Sequence, residues 1–311
     1  CSEIMLPSDE RWSFVCCLSS INLARYDEWK DTDAVETLTY FLDAVMSEFI
    51  QKLEALRDHP DREKQNQFRF MEKSYTFAVE NRAIGLGALG RHSYLQSHMI
   101  AIESPQAHQL NTEIFSTIKD RSYAASAEMA TVYGEPAVLE WYGRRHTTLN
   151  AVAPTTSSAF ILGQVSQSIE PRFSNYYVKD LAKTKVSVKN RELEKLLDTK
   201  DKNTKETRDS IRDNDGSVQH LEFLTQQEKD VFKTFAEINQ YTIIDQAAER
   251  QKYIDQGQSL NLMVNPKTPV KDINNLYIEA WKSGIKTLYY QHSMNAAQAL
   301  GRKISCVGCE G

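Results

Sequence analysis

Apolar residues at Val35, Leu38, Leu42, Val45, Phe49, Leu53 and Leu56 recur at helical spacing and predict one amphipathic helix. Asp33 and Glu36 stand three apart at its start, the spacing of a capping box, and His59-Pro60 ends it. Leu110, Ile114 and Ile118 predict a second helix over 106–133, and Val231, Phe235 and Ile238 a helical stretch over about 225–255. Ile273, Leu276, Tyr277 and Trp281 predict a helix over 270–283, with Gly284 placed as its C-terminal cap. Between these lie short strand-like runs: Val15–Leu18, the run through Ile84, Asn150–Ala153, Lys185–Val188, Asn261–Val264 (stopped by Pro266) and Lys286–Gln291. Short strands alternating with helices predict an α/β fold with a parallel sheet or barrel. Residues 191–217 are mostly polar and end in Asp213-Asn214-Asp215-Gly216, a turn signal, so they read as a solvated helix and loop or a mobile insertion.

Composition narrows the class. The chain has 311 residues, 41% hydrophobic and 25% charged, as in ordinary globular proteins. A formal net charge of −5 gives no footprint for nucleic acid or an anionic membrane surface. No apolar run is long enough for a membrane span, and no charged-then-apolar leader is present. Five cysteines are too few for a secreted disulfide scaffold and suit a reducing cytoplasm. They cluster at the ends: Cys1, Cys16 and Cys17, then Cys306 and Cys309. Structural zinc wants four ligands in two close pairs, and with His292 the nearest histidine and no second Cys-x-x-Cys, no metal site is expected. The sequence opens on cysteine rather than methionine, which suggests a processed product or the downstream half of a split protein; cysteine also follows self-splicing insertions.

The candidate chemistry begins with Cys1, two residues from Glu3, and Cys16 on the apolar run behind them. A thiol can be a nucleophile, a metal ligand, a disulfide partner or a radical carrier, and a neighbouring carboxylate can act as a base. Gly85, Gly87 and Gly90 spell G-x-G-x-x-G, but no clean strand precedes them and no acidic residue closes a second strand, so close packing is the plainer reading. After Asn150–Ala153 come Pro154, Thr155, Thr156, Ser157 and Ser158, then Ala159-Phe160-Ile161-Leu162. Strand, hydroxyl-rich turn and helix start make an anion site or a plain N-cap.

Taken together, Cys1-Ser2-Glu3-Ile4, the Cys16 run ending in Asn22, Asn81–Gly90, Ala153–Ser158, Ile169-Glu170-Pro171, Arg250-Gln251 with Asp255-Gln256, Leu288-Tyr289-Tyr290-Gln291 and Cys306-Val307-Gly308-Cys309 resemble the large catalytic subunit of class I ribonucleotide reductase. The resemblance runs in family order over nearly the whole chain. It implies the C-terminal half of a ten-stranded α/β barrel, beginning at the catalytic finger loop, over 1–295, followed by a flexible redox tail over 296–311. It implies that Cys1 becomes the thiyl radical that takes the ribose 3′ hydrogen and that Glu3 accepts the 3′-OH proton. Cys16 would be one of two thiols oxidised to a disulfide. Tyr289 and Tyr290 would relay the radical, although a regular strand sends neighbours to opposite faces, so the pair needs an irregular strand end. Pro154–Ser158 would cradle the substrate phosphates, and Cys306 and Cys309 would reduce the active-site disulfide by exchange.

The resemblance also implies partners: an upstream half of the large subunit carrying the other thiol, a small metal-containing subunit that supplies the radical, a thioredoxin- or glutaredoxin-type reductant, and a ribonucleotide. No cofactor bound by this chain is implied, and the setting would be cytoplasmic, the host cytoplasm if the source is viral. A non-catalytic docking fragment of such a complex is the alternative, but it gives no reason for Cys1, Glu3, Cys16, both tyrosines and the tail thiols to occur together. A dehydrogenase resting on Gly85–Gly90, and the glycyl-radical reductases, fit less well.

Overall fold

The structure, a computed structural model, describes residues 1–181 and 184–293. In chain order its elements are β1 (Cys17–Asn22), α1 (Tyr26–Trp29), α2 (Ala34–Arg57), α3 (Arg62–Asn81), β2 (Ile84–Leu89), α4 (Arg91–Ser97), α5 (Pro105–Tyr133) and α6 (Thr156–Ile161). There follow β3 (Tyr176–Leu181), β4 (Thr184–Lys189), α7 (Arg191–Thr199), α8 (Lys205–Asp213), α9 (Gln226–Val231), α10 (Gln240–Gln251), β5 (Leu262–Val264), α11 (Val270–Lys282) and β6 (Gln291–Ser293).

Among the described residues, five extended segments lie side by side and parallel. β1 pairs with β2 from Cys17 opposite Ile84 to Asn22 opposite Leu89. β2 is bridged on its other edge by 148–152, with Leu86 opposite Asn150, and that segment is bridged to 256–259, with Val152 opposite Gln258. The chain runs on into β5, which pairs with β6, Leu262 opposite Gln291. Parallel neighbours need long crossovers, and α2–α3, α4–α5, the stretch from α6 to α10, and α11 supply them. The α/β expectation holds, and the arrangement is part of an α/β barrel.

Close packing explains the glycines. β2 is buried along its whole length. A Cβ on Gly87 would sit 2.3 Å from the Ala151 carbonyl oxygen, and one on Gly85 3.2 Å from Cys16 Sγ. Gly90 takes φ +79° at the start of α4, a conformation that favours glycine. The G-x-G-x-x-G pattern thus lets a stave approach its neighbours.

Several elements depart from the reading by pattern. Asp33 makes no side-chain cap on α2; Glu36 instead ion-pairs with Arg121 at 2.6 Å, a charge-assisted contact stronger than a bond to one amide. α3 carries no periodic apolar stripe in the sequence, because its aromatic residues do not share a face: Phe77 is buried while Phe70 is 88% exposed. The 225–255 stretch breaks into α9, a 3-10 turn and α10, because capping boxes at Thr225/Glu228 and Thr234/Glu237 restart it. Lys185–Val188 belongs to β4, but in an antiparallel hairpin with β3. The polar 190–217 stretch forms α7 and α8, whose Leu193, Leu197 and Ile211 are buried with Val218, Leu221, Leu224, Val231 and Phe232 in a second small core. On α11, Leu276 is buried as expected but Trp281 points outward, 76% exposed. Gly284 follows the helix with φ +77°, as a C-terminal cap requires.

Candidate active site

The site is assembled on the stave 256–261. Its polar run Asp255-Gln256-Gly257-Gln258-Ser259 feeds directly into the apolar Leu260 and β5. Asp255 anchors the neighbouring stave by accepting the amides of Leu149 (2.7 Å) and Asn150 (2.9 Å). The Gln258 amide is held by Arg250, whose Nε donates to Oε1 at 2.5 Å, while Nε2 donates to the Ala247 carbonyl and Gln251 Oε1. Both Gln258 and Ser259 are fully buried. Buried polar groups keep their geometry only when their bonds are made, so these contacts fix where Gln256 and Ser259 face the N-terminal loop.

That loop docks through three polar contacts of its own backbone, and a fourth to a side chain. The Gly257 amide donates to the Glu3 carbonyl at 2.8 Å. The Met5 amide donates to Gln256 Oε1 at 3.1 Å, and the Ser2 amide to Ser259 Oγ at 3.0 Å. Gly257 has no room for a side chain: a Cβ would lie 2.4 Å from Thr287 Oγ1 and 3.1 Å from the Glu3 carbonyl oxygen. As a result the Glu3 carboxylate is 1% exposed and accepts a 2.5 Å hydrogen bond from Ser259 Oγ on Oε2, while Cys1 stays exposed.

The other end of the Gln256 amide reaches the residue that leads into β1. Its Nε2 donates toward Cys16 Sγ at 3.6 Å, and also toward Thr148 Oγ1 (3.1 Å) and the Ile84 carbonyl (3.2 Å). Burial pushes the Cys16 thiol up to about 12, with the Gln256 hydrogen bond working against it. Cys16 is therefore a protonated thiol at neutral pH, able to give up both its proton and its electron. Cys17, its neighbour, is raised by burial and lowered by Arg82. One side chain thus touches both the Cys1–Met5 loop and the Cys16 thiol.

Tyr289 and Tyr290 lie along the same stave. The Tyr289 amide donates to the Leu260 carbonyl at 2.8 Å and the Tyr290 amide to Asn261 Oδ1 at 2.9 Å. The pair lies just before β6, which begins only at Gln291, so the two rings are not forced to opposite faces. Their centroids are 4.0 Å apart at 41°. A hydrogen bond with Tyr290 raises the Tyr289 phenol above its usual range, helped by slight burial, the Tyr290 charge and Glu3. Asn261 also donates to Glu170 Oε1 at 2.5 Å, and burial pushes that carboxyl up to about 8 against the Asn261 bond and the Arg250 charge.

Pro154–Ser158 lie at the next stave's end. Val152 is level with Gln258, and Pro154–Ser158 follow directly after that bridge. α6 starts at Thr156 after Thr155 at φ +52°, and Thr155 Oγ1 accepts the Ser168 amide at 2.8 Å rather than capping its own helix. Thr156, Ser157 and Ser158 are exposed. The structure brings Glu3, Cys16 and the tyrosine pair to one stave, with Pro154–Ser158 in the turn and first residues of α6 that follow the next. Cys306 and Cys309 lie outside the described residues.

Sequence reasoning gave Gln256 and Glu170 no role and did not single out Ser259, Gln258 or Asn261. The available signal was the unusual polarity of 255–259 at the entry to a buried strand. Among the described residues, no three His, Cys, Asp or Glu side chains are placed to hold a metal ion, and no helix is long and apolar enough to cross a membrane.

Known proteins share this architecture. Residues 1–142 and 137–291 match the family described as ribonucleotide reductase, barrel domain. The chain is 40% identical over 305 residues to the ribonucleoside-diphosphate reductase large subunit of Invertebrate iridescent virus 6, covering 96% of this chain and 30% of that protein. It is 39% identical over 325 residues to the putative large subunit of Frog virus 3, covering 100% of this chain and 54% of that protein. The class Id ribonucleotide reductase alpha subunit of Actinobacillus ureae superposes with a TM-score of 0.86 at 54% identity, over 96% of this chain and 54% of that one. The chain thus spans between about a third and about half of these relatives, and it belongs to the ribonucleotide reductase barrel-domain family.

Proposed function

We propose that this chain supplies the catalytic half of a ribonucleoside-diphosphate reductase barrel and works as part of a multi-chain assembly. The observation that carries the reading is that Glu3, Cys16 and the tyrosine pair all converge on the 256–261 stave. In this account Tyr289 and Tyr290 pass an electron hole inward from a small metal-containing subunit, and Cys1 gives up its thiol hydrogen atom. The Cys1 thiyl takes the 3′ hydrogen from the ribose while Glu3 accepts the 3′-OH proton. The 2′-hydroxyl leaves as water. One proton of the pair formed by Cys16 and a second thiol leaves in that water; the other proton and two electrons go to the ribose as the pair becomes a disulfide, Glu3 hands back the 3′-OH proton, and Cys1 returns its hydrogen to the 3′ carbon. Each turnover converts one ribonucleotide and two thiols to one deoxyribonucleotide, one disulfide and one water.

The second thiol is assigned, as the family resemblance implies, to a segment outside these 311 residues. Pro154–Ser158 hold the substrate phosphates, using the exposed hydroxyls at the start of α6. Cys306 and Cys309 reduce the disulfide by exchange and are themselves reduced by a thioredoxin- or glutaredoxin-type donor. The test is reconstitution with a ribonucleoside diphosphate and a dithiol reductant. Product is expected only when the complementary barrel segment and the small subunit are both present. Deoxynucleotide formed by this chain and the small subunit alone would overturn the requirement for a complementary segment.

A further inference from the structure

Ser259 carries no role in the reading above, yet it is fully buried and makes two bonds that together fix its hydroxyl. Oγ accepts the Ser2 amide at 3.0 Å and donates to Glu3 Oε2 at 2.5 Å. An amide cannot accept, so the Ser2 contact occupies a lone pair and leaves the hydroxyl proton for the carboxylate. A hydroxyl bond to a charged acceptor is about twice as strong as a neutral one. It also distinguishes the two oxygens of Glu3: Oε2 carries the Ser259 bond, which leaves Oε1 the freer oxygen to take a proton. The Ser259 backbone is itself pinned, its amide donating to the Val152 carbonyl at 2.9 Å. The donor is therefore held on a stave and not on the loop that it serves.

We infer that Ser259 is the positioning residue for Glu3, holding one carboxylate oxygen so that the other faces the ribose hydroxyl, and that it joins the aim of the base to the seating of the Cys1 loop through the Ser2 amide. The inference rests on the assignment of Glu3 as the proton acceptor. Cys16, from the lead into β1, and Tyr289, from the segment before β6, are the titratable groups from other elements that feel the Glu3 charge. Neither donates to it in place of Ser259.

The experiment compares Ser259→Thr with Ser259→Val in the reconstituted assembly. The two side chains have the same shape, so any steric cost cancels and only the hydroxyl differs. Threonine is expected to keep most of kcat. Valine is expected to lower kcat about 10- to 100-fold, the fold-change that a hydrogen bond to a charged group represents, with KM for the ribonucleotide within about twofold. Equal kcat for the two variants, or a loss confined to KM, would overturn the inference. Glu3→Gln measured alongside separates the two claims. If Glu3→Gln is inactive and the Ser259 pair is equal, the Ser259 inference fails alone; if Glu3→Gln keeps full activity, the assignment of Glu3 fails.

Discussion

Replacing Gln256 with leucine removes an amide whose two ends serve different segments. Oε1 accepts the Met5 amide at 3.1 Å, and Nε2 points at Cys16 Sγ, Thr148 Oγ1 and the Ile84 carbonyl. The carbonyl of Ile84 keeps a bond from Thr148 Oγ1 at 3.1 Å, so the largest single loss is the Met5 anchor. One such hydrogen bond is worth about 0.5–1.5 kcal/mol, and more where the deserted group stays buried. Opening of the N-terminal loop should therefore become about tenfold easier, because 1.4 kcal/mol is a factor of ten. Amide hydrogen exchange on this chain reads it directly: Met5 protection should fall about tenfold, while amides of the α2 core stay unchanged. Gln256→Glu dissects the same group. An ionised carboxylate still accepts from Met5 but cannot donate to Cys16. Met5 protection should survive, and Cys16, having lost the bond that counters its burial, should alkylate more slowly. Met5 protection unchanged in the leucine variant, or faster Cys16 alkylation in the glutamate variant, would refute the clamp.

Asp43 is bonded by Arg82 Nε (2.9 Å), Arg145 Nε (3.0 Å) and His146 Nε2 (3.1 Å). Burial raises its carboxyl, but the His146 bond and the two guanidiniums prevail and hold it well below the usual range. Asp43→Asn leaves two largely buried cations without an anion and should cost about 3–5 kcal/mol in urea unfolding at pH 7. Since the folded carboxyl is depressed, the wild-type advantage should be complete above about pH 4 and shrink as pH falls further; an advantage that grows on acidification would contradict the assignment. Gly87→Ala sets a methyl against the Ala151 carbonyl of the adjoining stave and should lower stability by about 1–3 kcal/mol, measured by the same unfolding curve. Tyr290→Phe keeps the ring but deletes the phenol hydrogen, so multiple-turnover reduction should fall below detection while ribonucleotide affinity stays within about twofold of wild type, by equilibrium dialysis.

Much of the fold was legible because periodicity reports burial. The apolar stripe from Val35 to Leu56 marks α2, whose first half faces the main core through Val35, Leu38 and Leu42 and whose second half packs Met46, Phe49 and Ile50 in a small cluster of their own; Leu110, Ile114 and Ile118 mark α5 on the main core. α3 was silent because Phe70 and Met71 face outward while Phe68 and Phe77 are buried. The 225–255 stretch read as continuous helix because capping pairs such as Thr234 and Glu237 look like ordinary polar surface until the turn forms. The small core under α7 and α8 was hidden because Leu193, Leu197 and Ile211 are spread thinly among charges, and their partners Val218, Leu221 and Leu224 come from later in the chain.

At the site, the residue types with distinctive chemistry could be named from the chain. The residues that hold them could not. Gln256 and Ser259 are ordinary polar residues, and only the pairing of 148–152 with 256–259 brings them under a loop more than 250 positions away. The stacked tyrosines depended on where β6 begins, one residue after Tyr290, which alternation cannot tell.

The central claim is tested most directly by Cys1→Ser in the reconstituted reductase, with deoxynucleotide counted per mole of enzyme. A hydroxyl at that position has a far stronger bond to hydrogen than a thiol. The account predicts that no deoxynucleotide forms above the blank while substrate still binds; formation at the wild-type rate would contradict it.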